Sequence, residues 1–223
     1  MVVAIDGPGG VGKSTVARGV ASALGYEYLD TGSTYRAATL AVLQAGVDPT
    51  DADAVLSVVQ HCAIEYIDGV IYLDGSPVPE ATRRADVTGA VSAVSAYPEV
   101  RALVVDVQRD WVASRGGSAV VEGRDIGTVV FPDALVKVFL TARPEVRAAR
   151  RSGDAEAEGQ DVAEIAAELE RRDRYDSTRE ASPLHPADDA VVIDTSDLDA
   201  DGVIAAILDL VADTRDRQTR GPR

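Results

Sequence analysis

Gly7-Pro8-Gly9-Gly10-Val11-Gly12-Lys13-Ser14 decides how this chain folds. The run has the G-x-x-x-x-G-K-[ST] spacing of a phosphate loop, whose glycines let successive backbone N–H groups turn inward around a phosphate. Its flanks agree. Val2-Val3-Ala4-Ile5 is a short apolar run suited to a strand buried on both faces. From Lys13 onward Val16, Val20, Ala23 and Leu24 recur at helical spacing, and Gly25 supplies the stop. Strand, loop and helix in that order set the positive end of a helix against a phosphate, with Lys13 reaching the outer phosphates. The run and Thr15 are the expected ATP-binding residues, and the Ser14 hydroxyl is the expected ligand of Mg²⁺.

Outward from the loop, Tyr26 to Leu29 reads as a second strand and Thr34 to Ala45 as a second helix ending at Gly46. This βαβα opening predicts a parallel sheet with right-handed crossovers. Ala63–Ile67, Val70–Leu73 and Ser76–Val78 then read as short strands separated by Asp68-Gly69 and Asp74-Gly75, two tight-turn signals. They predict an antiparallel insertion at 63–79, too small to bury much apolar surface alone. Helical pattern runs from Asp86, interrupted at Pro98, to Gly116-Gly117. Strands follow at 118–121, 135–140 and 190–193, with helices after Asp161 and through Ile204, Ile207 and Leu210. The expected fold is α/β: one domain over 1–223 with a five-stranded parallel sheet flanked by helices, a three-stranded antiparallel insertion and a helical lid at about 143–165. The polar loop Gly153–Gly159 suits a mobile lid tip and an ordinary solvent loop equally well. The tail 214–223 has few apolar residues and is expected to fray.

Composition narrows the chemistry. The 223 residues carry a formal net charge of −15, which argues against affinity for nucleic-acid polymers or anionic membranes. Any phosphate must be held locally. Lys13 and Lys137 are the only lysines, so nearly all positive charge is arginine, whose planar fork matches phosphate oxygens. The single cysteine, Cys62, excludes an intramolecular disulfide and a cysteine-rich metal site. No apolar run resembles a signal peptide or a membrane span, so a cytoplasmic monomer is expected.

The phosphate loop leaves the acceptor open. No Asn-Lys-x-Asp segment is present to read guanine, and no Asp-x-x-Gly ends a suitable early strand, which disfavours a GTPase. A small-molecule kinase needs cations on the acceptor side, because two polyanions must meet in line. Arg36 follows the second strand, Arg124 follows the third, and Arg171-Arg172-Asp173-Arg174-Tyr175-Asp176-Ser177-Thr178-Arg179 adds more. In an open parallel sheet the ligand crevice lies beyond the carboxyl ends of the strands, so these groups can share a pocket with the loop.

With Ile5-Asp6-Gly7-Pro8, Asp30-Thr31-Gly32 through Tyr35-Arg36, and Gly123-Arg124-Asp125-Ile126-Gly127-Thr128-Val129-Val130-Phe131-Pro132-Asp133-Ala134, the chain resembles the bacterial cytidylate kinases along nearly its whole length. The resemblance implies ATP plus CMP or dCMP giving ADP plus CDP or dCDP, with UMP a poorer acceptor. It implies that Ser92, Arg101 and Asp125 read cytosine and that Arg36, Arg124 and Arg179 clamp the acceptor phosphate. It also implies that Arg172 and Asp176 lie near the pentose and that Thr31, Tyr35 and Gly123 line the nucleoside pocket. Arg147, Arg150 and Arg151 are the lid candidates for contact with the migrating phosphoryl group. Glu122 stands where some members of the family carry aspartate. Two other readings stay open: a kinase of another small acceptor such as AMP, UMP or shikimate, and a regulator that binds ATP without transferring phosphate.

Overall fold

The computed structural model describes residues 1–153 and 161–220. Strand β1 (Val2–Asp6) runs through the glycine loop into α1 (Lys13–Leu24), and β2 (Glu27–Asp30) runs directly into α2 (Thr31–Gln44). Helix α2 starts at Thr31, ahead of the Thr34 start that apolar spacing suggests, because Asp30 caps it by accepting from the Ser33 N–H at 3.3 Å. Helix α3 (Ala52–His61) has no counterpart in the sequence reading. Its first turn is polar enough to pass for a loop, yet the Asp51 carboxylate accepts from the Ala54 N–H and Val55 and Val59 are buried.

The antiparallel insertion consists of β3 (Ile64–Ile67), β4 (Val70–Leu73) and β5 (Ser76–Pro77). Both turns have left-handed central residues, Asp68 and Asp74 each at φ 50° followed by Gly69 at 80° and Gly75 at 74°. The insertion shares the core of the main body. Ile64, Tyr66, Ile71 and Leu73 pack in one cluster with α2, α4 (Ala85–Val94) and α5 (Pro98–Ser114). The Trp111 indole donates to the Tyr66 carbonyl at 2.6 Å.

β6 (Ala119–Gly123), β7 (Val136–Thr141), α6 (Pro144–Ser152), α7 (Val162–Thr178), β8 (Val191–Asp194) and α8 (Ala200–Arg220) complete the chain. The five main strands are parallel in the order β2-β6-β1-β7-β8. The central strands are buried on both faces. Ala4, Leu29 and Val121 face α2 and α5, whereas Val3, Ile5, Val120 and Val138 face α1 and α8. β1 and β6 end level, Asp6 pairing across from Gly123, while β7 runs two residues past Phe139, the partner of Asp6, so the crevice opens beyond β1, where the chain turns to both sides.

The tail is helical as far as Arg220, where its composition predicts fraying. Residues 214–220 continue α8, whose Val203, Ile207 and Val211 form the single apolar stripe a surface helix needs. Thr214 donates to the Leu210 carbonyl at 2.8 Å and Arg215 to the Tyr26 hydroxyl at 2.7 Å. Residues 221–223, and the expected lid-tip loop beyond Gly153, lie outside the described residues. No helix among the described residues is long and apolar enough to cross a membrane.

After β6 the chain makes one π-turn, Ile126–Val130, in which the Val130 and Phe131 N–H groups reach back to the Asp125 and Ile126 carbonyls at 3.1 and 2.7 Å. The Ile126 and Gly127 N–H groups at its start each donate to one carboxylate oxygen of Asp6, both at 2.8 Å. Asp6 is 5% exposed, and burial pushes its carboxyl up to about 6 even though the two N–H donors oppose the shift. A folded-state pKa above the unfolded one means that the native protein holds this proton more tightly. The stability it confers is complete below about pH 4 and is lost as pH rises through 6, about 3 kcal/mol in all. In urea unfolding between pH 4 and 7, Asp6→Asn should therefore remove a stability loss of this size seen in the parent, whereas equal slopes would contradict it.

Candidate active site

The loop between β1 and α1 holds Gly10 and Gly12 at φ 77° and 90°, values that side chains disfavour, and Gly12 caps α1 without a side-chain hydrogen bond. The first N–H groups of α1 are thus left for a ligand. Gly7, at φ 150°, marks the closest backbone approach, since a Cβ there would lie 2.3 Å from the Leu140 carbonyl oxygen. Gly10 to Thr15 line a cavity of about 910 Å³ that extends from the loop across the carboxyl ends of β1, β2 and β6 to the insertion. Gly7, Pro8 and Gly9 shape the loop without lining the cavity.

Lys13 lies at the centre and donates to the Pro8 carbonyl at 2.8 Å. Burial, reinforced by the neighbouring Arg124 guanidinium, holds its ammonium down at about 8. Facing it are Glu122, 3% exposed, and Asp30. Burial and the Asp30 charge push the Glu122 carboxyl above its ordinary range, while it accepts hydrogen bonds from Tyr28 and Ser14.

The acceptor end gathers the arginines expected there. Arg124 is held by Asp176 at 3.2 Å and by Asp173 at 3.5 Å, and donates to the Gly7 carbonyl at 3.4 Å, so it bridges loop and α7. Arg179 is paired with Asp176 at 3.7 Å and donates to the Ser182 carbonyl at 2.6 Å. Arg36 donates to the Thr82 carbonyl and the Thr88 hydroxyl at 3.1 and 2.8 Å. Burial and then Arg124 lower Arg172 to about 10, and burial and then Arg101 lower Arg179. Arg172 Nε and Arg179 Nη2 are buried with no hydrogen-bond partner among the described residues. Donors orphaned beside so many cations suit an arriving anion.

Deeper in, Arg101 and Asp125 form a buried pair at 2.5 Å, both side chains 5% exposed. Arg101 also donates to the Ser95 carbonyl at 3.0 Å and stacks 5.0 Å above the Tyr35 ring. Ser92 lines the same end. Thr31 donates to the Glu122 carbonyl at 2.6 Å, and Gly123 packs so closely that a Cβ would lie 2.6 Å from the Thr31 hydroxyl. Every expected acceptor-side residue thus lines one cavity.

The three arginines of α6 separate. Arg150 and Arg151 line the cavity, Arg150 donating to the Thr195 hydroxyl and carbonyl at 2.8 and 2.7 Å. Arg147 lies behind the loop instead, bonded to the Gly9 carbonyl at 2.7 Å and paired with Asp173. Thr195, Leu198, Asp199 and Ala200 form the wall beside Val11 and Arg150, and no local motif announces them. Sequence assigns no role to Tyr28 or Asp6, although Asp6 directly precedes the first glycine of the loop and lies in a segment that carries the family resemblance.

Residues 3–213 match the family model described as cytidylate kinase. A cytidylate kinase of Mycobacterium leprae (strain Br4923) is 53% identical over 213 residues, covering 95% of each chain. One of Mycobacterium avium (strain 104) is 55% identical over 217 residues, again 95% of each. One of Rhodococcus opacus (strain B4) is 51% identical over 219 residues, 96% of this chain and 95% of that one. Among solved structures, a gluconokinase from Sinorhizobium meliloti 1021 is similar at TM-score 0.54 and 15% identity, covering 99% of this chain and 97% of that one, a likeness of fold alone. Loop, sheet order and family match agree: the chain is a P-loop kinase and belongs to the cytidylate kinase family.

Proposed function

We propose that this kinase transfers the γ-phosphoryl group of ATP to the 5′-phosphate of CMP or dCMP, releasing ADP and CDP or dCDP. The observation that carries the reading is the buried Arg101–Asp125 pair at the end of a cavity whose other end is the phosphate loop. A carboxylate there accepts from the exocyclic amine of cytosine, whereas uracil presents an oxygen at the same position. The names of the relatives point the same way.

The residues divide the work by position. The loop N–H groups and Lys13 hold the donor's phosphates, and Arg36, Arg124 and Arg179 hold the acceptor's, so an acceptor oxygen can face the γ-phosphorus in line. The new P–O bond forms as the bond to the β–γ bridging oxygen breaks, and ADP leaves with that electron pair. No general base is required, since the acceptor phosphate is already ionised. The cations offset the charge that spreads over the transferring group. In the reading that about 143–165 forms a lid, Arg150 and Arg151 close over the donor while Arg147 braces the loop from behind. Closure excludes water, the competing acceptor.

Mg²⁺ fits the donor set. No group of three or more His, Cys, Asp or Glu side chains among the described residues could cage a metal. The Ser14 hydroxyl, with the Glu122 and Asp30 carboxylates lining the same cavity, suits an ion that keeps several waters and takes phosphate oxygens as its other ligands. Bound there, it would neutralise charge on the β- and γ-phosphates.

ADP formation from ATP and Mg²⁺ should be fastest with CMP or dCMP among CMP, dCMP, UMP, AMP and shikimate. Lys13→Ala should cut kcat about 10²- to 10³-fold. ATP binding without acceptor-dependent ADP release would rule the proposal out in favour of a non-catalytic regulator. Asp125→Asn should lower the CMP-over-UMP ratio of kcat/KM at least about tenfold, read from competing-substrate kinetics. An unchanged ratio would remove Asp125 from base selection.

A further inference from the structure

We infer that Asp6 is a positioning residue that sets acceptor selection: its carboxylate fastens the π-turn after β6 so that Arg124 and Asp125 point at the acceptor. The inference rests on the CMP reading above, because it concerns how that acceptor is held.

Asp6 takes no part in phosphoryl transfer as described above, and it does not line the cavity. It is nevertheless a buried carboxylate, 5% exposed, at the last position of β1 and opposite Gly123 in the ladder. Its two oxygens are used separately, one for the Ile126 N–H and one for the Gly127 N–H, each at 2.8 Å. Those N–H groups start the turn that follows Arg124 and Asp125. Asp125 itself sits at φ −144° and ψ 28°, outside helix and strand, so its direction depends on what holds the turn. On one side the dipeptide is anchored through β6, where Gly123 leaves no room for a Cβ against Thr31 and Ile126. On the other the anchor is Asp6. The turn packs against the same strand ends, since a Cβ on Gly127 would lie 3.1 Å from Lys137 Cδ and in ordinary contact, 3.4 Å, with Asp6 Oδ2.

The residue that begins the donor loop therefore also holds the acceptor-reading dipeptide. Asparagine at this position keeps the shape but presents an amide N–H₂ to one backbone N–H, donor against donor, so one anchor is lost.

Calorimetric titration of the folded full chain at pH 7.5 with ATP, CMP and UMP, for the parent and Asp6→Asn, tests this. Kd for CMP should rise about tenfold, Kd for ATP should stay within about threefold, and the CMP-over-UMP preference should fall. Equal weakening of ATP and CMP, or an unchanged preference, would reduce Asp6 to a structural role and overturn the inference. If Asp6→Asn does not fold, Asp6→Ser offers one oxygen in place of the two that accept from Ile126 and Gly127, and its shift in CMP affinity and preference decides in the same way. A parent chain that binds CMP and UMP equally would overturn the acceptor reading and this inference with it. A parent that prefers CMP beside variants that keep the preference would overturn the inference alone.

Discussion

Like charge gathered out of water is the constraint on which the site depends. Lys13, Arg36, Arg101, Arg124, Arg172 and Arg179 line one cavity in a chain whose formal net charge is −15. Desolvation and mutual repulsion oppose that gathering, as the lowered values of Lys13, Arg172 and Arg179 record. Neighbouring carboxylates make it tolerable. Asp176 is shared by Arg124 and Arg179, Asp173 by Arg124 and Arg147, and Asp125 holds Arg101. Breaking one partner of such a pair costs more than the pair contributes, so the carboxylates of α7 belong to the site as much as the arginines do.

The pairing is incomplete in a way that suits function. Arg172 Nε and Arg179 Nη2 keep buried donors without partners, and the start of α1 has no side-chain cap. A nucleoside triphosphate and a nucleoside monophosphate would supply the missing acceptors, so ligand binding and site stability are linked. Recessed cations in a chain of net charge −15 are how an acidic protein can offer a local phosphate site. The sheet makes the two ends adjacent: β1 carries the donor loop, and its neighbour β6, in level register, carries Arg124 and Asp125.

Sequence disclosed those parts of the site that are local. The phosphate loop needs a strand, glycines and a helix in immediate succession, and Lys13 and Ser14 follow from it. Arg36, Arg124 and the α7 arginines were legible because they follow strand ends or recur along a helix. What escaped depends on partners distant in the chain. Arg147 shares its helix with Arg150 and Arg151, yet it bonds the back of the loop at Gly9, a relationship that no local pattern encodes. Asp6 reads only as a residue leading into the loop until the N–H groups of Ile126 and Gly127 are seen on it. Helix α3 and the last turns of α8 escaped for another reason: polar composition masks a helix that needs only a narrow apolar stripe.

The proposed function requires donor and acceptor phosphates to lie end to end in one cavity, with cytosine read at the far side. Titration with a dinucleotide joining the 5′ ends of adenosine and cytidine through a polyphosphate bridge tests it most directly. If the claim holds, this compound binds at least about 100-fold tighter than ATP or CMP alone, and its uridine counterpart binds less tightly. Affinity no better than that of ATP, or equal affinity for the two dinucleotides, would contradict it.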